Sequence, residues 1–187
     1  MKQKIIILVS LILLSGYSFS AAAQQQGKTL VVYFSESGNT RNMATIIQEL
    51  TGADIVEIEM QNPYSDNYST LLDEAERDLL SNARPPLRTQ IDNMDEYSTV
   101  LVGYPNWYAI LPMPVYTFLE SYDFSGKRII PFCSHGNGML GETVANICKS
   151  CPNANVREAL SVTYSGGSSL RNEIQSWLIK HNLLYNN

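Results

Sequence analysis

The sequence has little of what would mark several common functions. Its 187 residues include three cysteines and two histidines, and no His, Cys and carboxylate positions share the spacing of a metal site. No run of Lys or Arg occurs, and 18 acidic residues against 13 basic give a formal charge of −5. Nucleic-acid binding wants a concentrated basic patch and is set aside. No apolar run approaches the ~20 residues that cross a bilayer. A nucleotide-triphosphate loop would need a GK[ST] ending, which is absent. A C-x5-R phosphatase loop starting at Cys133 would need Arg six positions on, where Met139 stands. No linker, internal repeat or low-complexity period divides the chain. What remains is 44% hydrophobic, too apolar for disorder, too short for a two-domain enzyme and long enough for one substantial core.

The first stretch reads as an address. Lys2 and Lys4 precede the apolar run Ile5–Leu14, and Ser15–Ala23 turns small and polar, ending in three alanines. A basic start, a short apolar segment and an A-x-A site make a secretory signal peptide; a membrane anchor would need a longer run. The expected organisation is a signal peptide over 1–23, cleaved after Ala23, and one domain over 24–187. The protein would then be exported, periplasmic or secreted, meeting the membrane only during export. No Cys follows the run, so no lipid-modified start is expected, and no Arg pair precedes it, so the chain would cross unfolded. With Lys2 and Lys4 removed, 11 basic against 18 acidic residues leave −7 on the mature chain.

Cysteines in an exported chain need a redox reading. Cys133 ends an apolar run and reads as a small buried hydrophobe. Cys148 and Cys151 form C-K-S-C just before Pro152, at the end of the helical stretch 142–149. A helix C-terminus disfavours a thiolate, so the pair reads as a structural disulfide or two quiet thiols in preference to a catalytic dithiol.

After residue 27, short β-rich runs alternate with amphipathic stretches. Strands are expected at 29–34 (TLVVYF), 53–59, 99–103 (TVLVG), 128–132 (RIIPF) and 156–162. Helices are expected at 39–50, 68–81 (with Leu71, Leu72, Ala75, Leu79 and Leu80 inward), 114–120, 141–149 and 169–184. Near-continuous apolar strands alternating with helices imply an α/β fold, a single doubly wound parallel sheet with helices on both faces. Ligands of such sheets sit outside the carboxyl ends of the strands.

Three loops fall there. Ser35-Glu36-Ser37-Gly38-Asn39-Thr40 follows the first strand and opens a helix. Hydroxyls, a glycine and successive amides at a helix N-terminus suit a monophosphate, although an ordinary Ser-rich cap would look the same. Pro105-Asn106-Trp107-Tyr108 follows the third strand in a proline-stiffened loop. Its rings could stack on a flat ligand or simply pack on a helix. Ser134-His135-Gly136-Asn137-Gly138 follows the fourth strand, and Gly136, Gly138 and Gly141 spell G-x-G-x-x-G. That fingerprint belongs to the first strand–helix unit, with an acid about 20 residues on; here it follows the penultimate strand, so we read it as a chance match. His135 could donate to a ligand's edge or serve as an ordinary polar contact.

Together the three loops resemble the flavodoxin family over essentially all of 28–187. S-E-S-G-N-T is similar to its phosphate loop, Y-P-N-W-Y to the ring-stacking loop of the branch whose next helix begins P-x-P, and S-H-G-N-G-x-x-G to that branch's Gly-rich flavin-edge loop. The resemblance implies noncovalent FMN on a five-stranded sheet of order 2-1-3-4-5. It implies that Ser35, Ser37, Gly38, Asn39 and Thr40 hold the phosphate, that Pro105, Asn106 and Trp107 line the isoalloxazine, and that Ser134, His135 and Gly136 lie near its edge. No aromatic occurs between Cys133 and Gly141, which would leave one ring face available to a substrate. The expected function is electron transfer with a redox protein partner or a small-molecule donor or acceptor. Alternatives are an FMN-dependent NAD(P)H:quinone-type reductase and a flavin-free binding module on the same fold.

Overall fold

A computed structural model describes residues 27–184; the expected signal peptide lies outside them. The elements run β1 (Lys28–Tyr33), α1 (Asn39–Thr51), β2 (Asp54–Glu57), α2 (Tyr68–Leu80), β3 (Tyr97–Pro105), α3 (Met113–Ser121), β4 (Arg128–His135), α4 (Thr143–Ser150), β5 (Asn155–Val156), β6 (Leu160–Thr163) and α5 (Leu170–Lys180). All strand pairs are parallel, in the order β2-β1-β3-β4-β5, with β6 also on β4. The expected doubly wound order 2-1-3-4-5 is therefore present.

Side-chain alternation explains why the strands read as unbroken apolar runs. On β1, Leu30 and Val32 enter one core with Val100, Val102, Leu71, Val115, Phe118 and Ile147, while Val31 and Tyr33 enter the other with Met43, Ile47, Ile130, Ile174 and Leu178. So α2, α3 and α4 cover one face, and α1 and α5 the other; each face demands its own apolar set. Gly103 is required by closeness, since a Cβ there would come within 2.2 Å of the Phe132 ring.

Three expectations are corrected. The last strand is two short strands. Arg157 still donates to Ile129 O (2.8 Å), but the Glu158 carbonyl leaves the ladder and accepts from Trp177 Nε1 (3.3 Å) and His181 Nε2 (3.0 Å) on the α5 side. The terminal helix stops at Lys180 instead of Leu184, with Asn182 left-handed at φ 56°. On α2 only Leu71 and Ala75 are buried; Leu72 and Leu80 are exposed. Conversely β3 and β4 outlast their apolar runs, reaching Pro105 and His135, with Tyr104 opposite Cys133 and Pro105 opposite Ser134. These two strands therefore carry the site beyond the end of β1.

Candidate functional site

Everything the first loop does starts from the turn into α1. Gly38 is left-handed (φ 85°) and stands at the helix N-cap. Asn42 N–H is the first to reach a helical carbonyl, Gly38 O at 2.9 Å, and Arg41 N–H donates to Ser35 Oγ at 3.2 Å. The amides ahead of Arg41 have no intrahelical acceptor, as at any helix start. Asn39 Nδ2 donates to Ser37 Oγ (3.2 Å), bracing the turn from within. The Thr40 hydroxyl is buried against the Ser134 hydroxyl at 2.8 Å, which fastens this loop to β4. Thr40 offers an anion its N–H, and its hydroxyl is shared with Ser134. The local cation, Arg41, is held by both oxygens of Glu57, which also accepts from Tyr33. An anion here would be bound by amides and the helix dipole without a basic side chain.

The second and third loops are fastened to each other. Asn106 Nδ2 donates to Met139 O (2.7 Å) and Gly138 O (3.2 Å), Asn106 N–H to Ser134 O (2.8 Å), and Glu142 N–H to Ala109 O (2.7 Å). Gly141 is forced by this approach: at φ 51°, a Cβ would lie 2.4 Å from the Ala109 carbonyl oxygen. Beyond Asn106, Trp107 and Ile110 exchange backbone hydrogen bonds (3.3 and 2.9 Å) around Tyr108 and Ala109, at φ 52° and 65°. Two consecutive left-handed residues make a type I′-like turn, normally the province of Asn and Gly.

A cavity of about 540 Å³ opens between the first loop, the second loop and α2, lined by Glu36, Ser37, Asp66, Tyr68, Leu71, Leu72, Ala75 and Pro105 through Tyr108. Trp107 is half-buried in its wall. It sits edge-on to Phe34 (5.6 Å) and tilted against Tyr64 (5.7 Å), so it belongs to the core as well as to the cavity. The Asn106 Oδ1 atom is buried and lacks a hydrogen-bond partner. Burial and the neighbouring Asp66 push the Glu36 carboxyl above the usual carboxylate range, with Arg41 partly opposing.

Of the eleven sequence-chosen positions, Ser37, Pro105, Asn106 and Trp107 line this cavity. Ser35, Gly38, Asn39 and Thr40 build the adjoining turn. Ser134 and His135 are strand residues, both buried; Ser134 braces Thr40, and His135 Nδ1 lies 2.9 Å from Gly136 O. Gly136 lies under Tyr164, whose hydroxyl would be 3.4 Å from an added Cβ. The residues that sequence reasoning missed are Glu36, Asp66, the α2 wall and Tyr164. Tyr68 and Leu72 lie four apart on α2 and are both exposed, but in the sequence they read as part of an ordinary helical stripe and gave no signal for the wall. Among the described residues no cluster of His, Cys, Asp or Glu suits a metal ion. All three cysteines are free; Cys148 is exposed, Cys133 and Cys151 are buried.

Against known proteins, a flavodoxin family model matches residues 28–181. A structure described as a flavoprotein from Bacteroides uniformis is 28% identical, with TM-score 0.71, 83% of this chain and 99% of that one covered. One from Bacteroides eggerthii is 25% identical, with TM-score 0.72, covering 82% and 97%. A flavoprotein from Lactobacillus acidophilus, solved in complex with FMN, is 21% identical, with TM-score 0.63, covering 81% and 98%. No curated protein sequence matches. The family match spans both cores and all three loops, and the chain belongs to the flavodoxin family.

Proposed function

We propose that this chain binds FMN noncovalently and takes part in electron transfer, outside the cytoplasm if the leader at 1–23 is cleaved as expected. The observation that carries this reading is continuity. Ser37 belongs both to the turn that opens α1 and to the wall of the Trp107 cavity. A helix start suited to a monophosphate therefore adjoins a cavity suited to a flat ring, and one molecule holding both groups fits. Two further features fit the same molecule. The orphaned Asn106 Oδ1 is an acceptor awaiting an N–H, which a flavin's imide edge possesses. The Lactobacillus relative binds FMN. When bound, FMN supplies one- and two-electron chemistry that no side chain here supplies.

The chain's own part is placement. Residues 37–40 would hold the phosphate through amides and the Ser37 hydroxyl. Pro105 and Trp107 would bear on the ring, and Asn106, pinned by Gly138 and Met139, would meet its polar edge. Ser134, through Thr40, would keep the turn in register with β4. The test is titration of FMN and riboflavin into the protein, following flavin emission. FMN should bind at least roughly tenfold more tightly than riboflavin, because one charge-assisted phosphate contact is worth about 1.5–3 kcal/mol, and its emission should be quenched beside Trp107. Equal affinities, or bright bound flavin, would refute the assignment.

A further inference from the structure

The cavity has a second wall that FMN's phosphate turn and ring loop do not use. It is the α2 face, Tyr68, Leu71, Leu72 and Ala75. Seven large apolar side chains are exposed among the described residues, and three of them, Tyr68 (74%), Leu72 (37%) and Tyr108 (48%), line this one cavity. A concentration of apolar surface around a concavity marks a binding site. The Tyr108 ring is carried there by the left-handed pair at 108 and 109, and its hydroxyl donates across the opening to Leu72 O (3.2 Å). Non-glycine residues held left-handed cost free energy, and such outliers gather at ligand sites.

The charge at this opening has one sign. Glu36 and Asp66 line it, and Asp73 and Glu76 lie near enough to act on Tyr108. The nearby cations are engaged or turned elsewhere. Arg41 is paired with Glu57, Arg84 with Glu120, and Arg77 faces a different hollow beside Pro63 and Pro85.

We propose that the α2 side of the cavity, framed by Tyr68, Leu72 and Tyr108, is a binding site for a flat aromatic molecule without negative charge, and that Glu36 and Asp66 set this charge preference. The proposal rests on the reading that FMN lies against Pro105–Trp107, and it identifies the small-molecule class that reaches the bound ring. Anionic aromatics, and nicotinamide dinucleotides with their phosphates, are disfavoured at this opening; neutral or cationic rings are admitted.

The experiment is calorimetric titration of the FMN-loaded protein with three bicyclic probes of similar shape: N-methylquinolinium, 2-naphthol and 2-naphthalenesulfonate. The first two should bind, and the sulfonate at least roughly tenfold more weakly, a loss that added salt reduces. The Glu36→Gln/Asp66→Asn variant should bring the sulfonate to within about twofold of 2-naphthol, and Leu72→Asn should weaken all three. Flavin retention, measured by filtration of the same samples, separates the two readings. Probe binding ranked by charge in protein that retains no flavin would refute the FMN assignment and leave this site standing. In flavin-loaded protein, equal affinities for the three probes, insensitivity to the double variant, or no probe binding at all would overturn the site, the last by giving the α2 wall to the flavin itself.

Discussion

The contact between Thr40 and Ser134 joins α1 to β4 across 94 residues of sequence, and its energy can be worked out. The two hydroxyls are 2.8 Å apart, and both residues are almost fully buried (1% and 4%). Ser134→Ala leaves the Thr40 hydroxyl buried without a partner, and Thr40→Val does the same to Ser134. Each should cost about 1–3 kcal/mol, the desolvation of an unsatisfied group. The double variant removes both polar groups, so only the net worth of the bond, about 0.5–1.5 kcal/mol, and a small packing change are lost. The two single costs should therefore exceed the double cost by more than about 0.5 kcal/mol, and by about 3 kcal/mol at the middle of these ranges. Urea denaturation of the four proteins measures this, with the slope checked for constancy. If the single costs add to within about 0.5 kcal/mol, the hydroxyls are not each other's partners, and the view that β4 sets the phosphate turn is wrong.

Three other outcomes follow from the same geometry. Gly141→Ala should lower stability by about 2 kcal/mol or more in a thermal melt, because left-handed strain and a clash with the Ala109 carbonyl add. Gly52→Ala, left-handed with open space around it, should cost only about 1–2 kcal/mol, and equal losses would mean the two loops are not rigidly joined. His181 is held below its usual pKa by burial, with Arg128 and Lys180 adding to this and Glu158 opposing it. The unfolded chain then takes up a proton first as the solution is acidified, so stability should fall below about pH 6.5 and be fully present above it. His181→Gln should flatten the urea midpoint between about pH 7.5 and 5.5, and an unchanged slope would refute the role. In the reduced native protein an alkylating reagent should label Cys148 alone, since burial pushes the Cys133 and Cys151 thiols up to about 12 and about 11; fast labelling of either would contradict their burial.

The sheet was legible because burial on both faces leaves each strand a continuous apolar run, and the helices between them keep their own period. The break in the last strand was not legible. It depends on where the Glu158 carbonyl turns, and that is decided by Trp177 and His181, 19 and 23 residues on. Nor could the pattern on α2 separate Leu71 from Leu72. Both satisfy a helical stripe; only the fold shows that one meets the core and the other borders a cavity. The turn into α1 and the loop after β3 were legible because their glycine, hydroxyls and prolines are local requirements. Their opposite wall comes from a segment roughly thirty residues away from each, and its residues look like ordinary core.

The glycines of the third loop connect these points. Read as a string, Gly136, Gly138 and Gly141 match a dinucleotide fingerprint; in the fold each answers a different neighbour. Gly136 lies under Tyr164, Gly138 beside the Asn106 amide, and Gly141 against the Ala109 backbone. Their joint effect is to let the third loop close on the second, while Thr40 and Ser134 fix the first loop to β4. All three loops that the sequence singled out are thus fastened to the sheet or to one another. The cavity's remaining boundary is α2, tied across the opening by the Tyr108–Leu72 hydrogen bond and from below by Tyr64 to Asp78 at 2.9 Å. A ligand entering from this side has one weak, exposed side-chain hydrogen bond to displace, while the turn that carries Tyr108 keeps its own two backbone hydrogen bonds. If FMN binds as proposed, the fixed loops would position its ring and the side held by Tyr108 would govern what reaches it.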